Sequence, residues 1–165
     1  MSTLSVDTIQ GKTTAGTVAM PSGHVIQVQY TTTTSTITTA SGSLGASGHI
    51  VSITPKFANS KLIISLTGGE QTYSGASGLT VGIVHYYRQL TGGSYADLSG
   101  QVSELALGGG DGSGYGHVHS SEFVDTTHNT TSAINYQTYI KTSANTYYYN
   151  YTASNVTLKV MEIKQ

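Results

Sequence analysis

The segment Lys61-Leu62-Ile63-Ile64-Ser65-Leu66-Thr67 constrains the fold more than any other part of the chain. Leu62, Ile64 and Leu66 recur at every second residue, the period at which side chains alternate across a β-strand. The same period returns in Ile26-Val28-Tyr30, in Ile134-Tyr136-Thr138-Ile140 and in Val156-Leu158-Val160. No window of useful length carries an apolar stripe at i, i+3, i+4 and i+7. A chain patterned this way buries its apolar side chains between sheets, not along helices.

Turn residues divide the pattern into elements. Pro21-Ser22-Gly23 marks the entry to the first strand, and Ile50-Val51-Ser52-Ile53-Thr54 is a strand stopped by Pro55. Gly68-Gly69 is expected to end the 61–67 strand, and Gly45-Ala46-Ser47-Gly48 reads as a turn. A strand over 79–90 puts Val81, Ile83 and His85 on one face and Val84 and Tyr86 on the other. Phe123 and Val124 are both expected in the core. About eight to ten short strands at this spacing predict an all-β antiparallel sandwich or jelly roll. That domain should span 23–165, behind an extended N-terminal arm over 1–22.

Composition supports this reading and removes other classes. Only 9% of residues are charged, against a usual share of about 25%. The net charge is −1 and there are 12 Tyr, so low charge here does not signal disorder. The near-neutral balance offers no footprint for nucleic acid or an anionic membrane. No apolar run approaches the roughly 20 residues of a membrane-spanning helix. The N-terminus lacks the basic and apolar regions of a secretory signal, so the sequons at Asn129, Asn150 and Asn155 read as coincidence. There is no cysteine, which excludes disulfides and cysteine-based zinc sites.

The arm carries spaced large residues: Leu4, Val6, Ile9, Val18 and Met20. On a solvated tail they would be wasted. An extended segment of this kind lies in a groove or adds a strand to a sheet edge. These five residues are therefore expected to anchor the domain to a larger particle or to a neighbouring subunit.

Chemical signatures are sparse. His117 and His119 share one side of a strand and, with Asp125 or His128, have the residue types of a metal site. The plainer reading is polar surface histidines beside the loop Gly108-Gly109-Gly110-Asp111-Gly112-Ser113-Gly114. That loop lacks the lysine and the following helix of a phosphate loop. No nucleophile elbow occurs. Glu70, Glu104, Asp111, Glu122 and Asp125 are the internal acids, and nothing in the sequence pairs them as a glycosidase requires. The expectation is a protein without catalytic activity, cofactor or metal. Asp111, Tyr115, His117, His119 and Tyr148 are its candidate surface-contact residues. Tyrosines among them suit either a subunit interface or stacking on sugar rings.

Four stretches resemble one known family. Met20-Pro21-Ser22-Gly23-His24-Val25-Ile26-Gln27-Val28 is similar to the entry strand of small structural proteins and tail-fibre C-terminal domains of tailed bacteriophages, especially marine ones. Ser52-Ile53-Thr54-Pro55-Lys56 with Asn59-Ser60-Lys61-Leu62-Ile63-Ile64 resembles the family's next strand pair, and Val156 onward, ending Met161-Glu162-Ile163, resembles its last strand. Ser5-Val6-Asp7-Thr8-Ile9-Gln10 resembles its N-terminal arm. The middle, about 68–132, matches nothing in that family. The resemblance implies a virion structural protein on the particle exterior, forming a homotrimer and bound through its arm to other phage proteins. Two roles fit: a tail-fibre or receptor-binding component touching a host glycan or protein, or a capsid decoration protein that cements the head. The first is preferred.

Overall fold

The computed structural model describes residues 21–74, 80–107, 116–151 and 153–165. Ten strands are described: β1 (Val25–Thr33), β2 (Thr38–Thr39), β3 (Gly45–Ile53), β4 (Lys61–Ser74), β5 (Thr80–Leu90), β6 (Ala96–Leu107), β7 (His117–Asp125), β8 (Ile134–Thr142), β9 (Thr146–Tyr148) and β10 (Val156–Ile163). All pairings are antiparallel.

Two sheets form. The first runs β1-β10-β4, with β7 on the far side of β4; β9 pairs with the end of β4, and β2 pairs with β9. The second runs β3-β8-β5-β6. With the short β2 and β9 set aside, the eight long strands pair first with last (β1·β10) and second with seventh (β3·β8). The third pairs with the sixth (β4·β7) and the fourth with the fifth (β5·β6). That nesting is a long hairpin rolled over on itself, and it defines a jelly roll.

Burial follows the alternation. Leu62, Ile64 and Leu66 of β4 have no exposed surface, nor do Leu158 and Val160 of β10. From the facing sheet Ile134 and Tyr136 meet them, equally buried. Each such side chain contributes about 1.5–3 kcal/mol by leaving water. Gly82 of β5 leaves space for the Tyr147 ring, since a Cβ there would lie 2.3 Å from its Cε2. Tyr147 can therefore turn into the core, where its hydroxyl donates to Gln71.

Three expectations fail for local reasons. Gly68-Gly69 does not end β4. Both residues have positive φ, 84° and 74°, and they form a bulge across which β7 stays paired. β4 then runs on to Ser74, exchanging β10 for β9 as its partner on the other edge. Gly45-Ala46-Ser47-Gly48 is not a turn but the bulged start of β3. Val124 is not in the core. Phe123 and Asp125 point inward, and alternation puts Val124 on the outer face, 46% exposed.

Candidate functional site

Of the residues nominated from the sequence, Leu4, Val6, Ile9, Val18, Met20, Asp111 and Tyr115 lie outside the described residues. The others gather at one end of the first sheet. His117 opens β7, exposed, opposite Gln71 of β4. Tyr148 sits in β9, opposite Thr72 on the other edge of β4. The two residues thus flank the same short stretch of β4, about 10 Å apart at two strand spacings. The backbone of His119 pairs with Gly68. Beside His117, Val118 is 78% exposed. Tyr148 packs edge-on against exposed Tyr151, with ring centroids 5.0 Å apart, and its hydroxyl lies 3.1 Å from Ser74 Oγ. Alternation along β4 puts Val118 and Tyr148 on one face, with Glu70 and Thr72, and His117 on the other, with Gln71, so the exposed valine and the two tyrosine rings form a surface that His117 does not join.

The metal grouping is not assembled. Asp125 ends the strand that His117 begins, roughly 26 Å away at about 3.3 Å per residue. His128 is buried, with Nε2 3.3 Å from the Phe57 carbonyl oxygen. Among the described residues no three His, Asp or Glu side chains come together to hold an ion.

Two buried carboxylates stand out, and both act as clamps. Asp125 of β7 accepts from Arg88 Nη1 of β5 at 2.8 and 3.0 Å, from the Tyr136 hydroxyl of β8 at 2.7 Å, and from the Thr127 amide at 2.8 Å. It ties the two sheets together beside an open cleft of about 340 Å³ at the β6–β7 edge. Burial alone would raise its pKa, but the Tyr136 hydroxyl, the Thr127 amide and Arg88 outweigh burial and hold it below 3.8. Tyr136 is pushed far up by burial and by the Asp125 charge. An ionised carboxylate with its lone pairs engaged, beside a phenol that keeps its proton, is poorly suited to proton transfer near neutral pH.

Glu162 of β10 is fully buried. Its carboxylate accepts from the amides of Lys56 (2.9 and 3.0 Å) and Phe57 (3.0 Å), from Ser60 Oγ (2.8 Å) and from Gln27 Nε2 (2.7 Å). Burial raises its pKa, and these four donors more than reverse that, leaving it below 4.5. Glu162 thereby joins β1, the 54–60 turn and β10 at one point.

A third buried group is His49 of β3. Its Nε2 lies 2.9 Å from the Thr31 carbonyl oxygen, which can only accept, so Nε2 carries the proton. Nδ1 then accepts from the Tyr149 hydroxyl at 3.1 Å. Burial lowers the pKa of the ring, and the Thr31 carbonyl only partly offsets this.

The sequence reading missed Arg88, Glu162 and His49 as structural centres. For Glu162 a signal existed: it continues the inward register of Val156, Leu158 and Val160. A carboxylate on a core face must find donors.

No protein-family model matches the chain, and no curated protein sequence matches it. Among solved structures it is similar to a chain of infectious bursal disease virus, Gx strain, at 15% identity and a TM-score of 0.48, over 83% of this chain and 32% of that one. A chain of the Gt strain matches at 15% identity and a TM-score of 0.43, over 100% of this chain and 43% of that one. This chain thus spans less than half the length of either. Likenesses this slight carry nothing about function.

Proposed function

We propose that this protein is an exterior structural component of a tailed-phage virion, serving as a tail-fibre or host-contact domain. One observation carries the reading. Three of the family-like stretches, scattered through the sequence, meet at a single buried point. Gln27 comes from the first, Lys56 and Ser60 from the second, and all three bond Glu162 of the third. Short matches that converge on one carboxylate behave as one structural unit, which is what a shared fold requires. The jelly roll is compatible with the role, since the architecture serves in capsid proteins and lectins, though fold alone does not assign function.

In this reading residues 1–22 attach the domain to other virion proteins. The surface around Val118, Tyr148 and Tyr151 meets a host glycan or protein. In this reading the protein has no catalytic activity and no cofactor, and Asp125 and Glu162 serve as clamps between strands. The test is deletion of residues 1–20. The truncated chain should keep its unfolding transition and fail to join particles. A truncated chain that still incorporates overturns the attachment.

A further inference from the structure

The outer face of the first sheet carries an apolar row from one edge to the other. Register places Val28 of β1, Met161 of β10, Ile63 of β4 and Val124 of β7 in one row across all four strands. Val28 and Val124, at its two ends, are 45% and 46% exposed. The next row reads Tyr30, Lys159, Ser65 and Glu122. Tyr30 is 69% exposed, while Ser65 is buried and its Oγ has no hydrogen-bond partner among the described residues. Neither Lys159 nor Glu122 makes an ion pair among those residues.

We propose that this face packs against the same face of a second copy, about a two-fold axis running between β10 and β4. Such an axis reverses the strand order, so that β1 faces β7 and β10 faces β4. In the apolar row, Val28 then meets the partner's Val124, and Met161 meets the partner's Ile63. In the polar row, Lys159 lies over the partner's Ser65. Tyr30 extends its hydroxyl to the partner's Glu122. Apolar groups meet apolar groups, and the Tyr30 hydroxyl faces a carboxylate, using the residues already in place. Sheets pack face to face at about 10 Å, a gap that paired Val, Met and Ile side chains fill.

The size is adequate. Four strands about 4.8 Å apart and eight residues at about 3.3 Å give roughly 500 Å² of sheet per copy. That reaches the total of about 1,000 Å² that a specific contact needs. The arrangement differs from the homotrimer implied by the family resemblance, and it stands independently of the virion reading.

Charge exchange tests it. Within one chain Val28 and Val124 lie three strand spacings apart, roughly 14 Å, and are too exposed for substitution to threaten the fold. Val28→Asp alone and Val124→Lys alone should each convert the dimer to monomer in sedimentation. The double variant places aspartate against the partner's lysine twice, and should recover the dimer with a salt dependence the native protein lacks. Recovery would not follow from an intrachain effect. A native protein that is monomeric at micromolar concentration, its face then left to residues 1–20 or a foreign partner, overturns the proposal. So does a trimer, or any oligomer indifferent to both single substitutions.

Discussion

Arg88 of β5 and Asp125 of β7 join the two sheets of the sandwich through Nη1–carboxylate contacts of 2.8 and 3.0 Å. Because the Asp125 side chain is 1% exposed, removing one partner leaves a charge without compensation. Arg88→Met should cost about 3–5 kcal/mol in urea unfolding, because it leaves the Asp125 carboxylate buried without its cation. The double replacement Arg88→Met/Asp125→Leu should cost less than the single one, because it strands no charge and leaves only the Tyr136 hydroxyl and the Thr127 amide without their acceptor. Equal losses for the two variants would mean that packing, not charge pairing, governs this edge.

Glu162 should matter as a backbone anchor. In Glu162→Gln an amide NH₂ takes the place of one acceptor, facing the Lys56 and Phe57 amides. We expect a loss of about 2–4 kcal/mol. Amide exchange should accelerate at Lys56 and Phe57 more than at the β5–β8 ladder. Unchanged protection at those two amides would contradict the anchoring role.

Acid should destabilise the protein in two stages. The His49 ring has a folded pKa below 6.5. From that pH downward the unfolded chain binds a proton the folded one resists, so stability falls as pH drops. Asp125 and Glu162 are depressed below 3.8 and 4.5. Their stabilisation is fully present above those values and is lost as pH falls through the folded pKa values. Urea midpoints across pH should show both declines, and His49→Gln should abolish only the upper one.

Gly69 needs its backbone. Its φ is 74°, and a Cβ at this position would lie only 2.1 Å from Val156 Cγ2. Gly69→Ala should therefore cost more than about 1 kcal/mol. Gly42→Ala, whose nearest contact would be 3.9 Å, should stay within about 0.5 kcal/mol. Thermal unfolding of the two variants makes the comparison.

Alternation made the inward residues of β4, β8 and β10 legible, because strand period and burial share one cause. It also set the opposite faces of Val84 and His85 correctly. What failed were places where pairing overrides local chemistry. Gly68 and Gly69 look like a stop, but the β7 ladder carries β4 through them. Gly45 to Gly48 look like a turn, but β8 supplies a pairing edge. The clamps were illegible for a different reason. Arg88 and Asp125 are 37 residues apart, and only the roll of the sheets brings them within reach.

The most direct test of the virion reading is localisation on the purified particle. Labelled antibody to this chain, imaged on intact phage, should mark the tail or its fibres at low copy number. Labelling spread over the head at capsomer-scale copy number would replace the host-contact role with decoration. A purified particle that lacks the chain would contradict the account altogether.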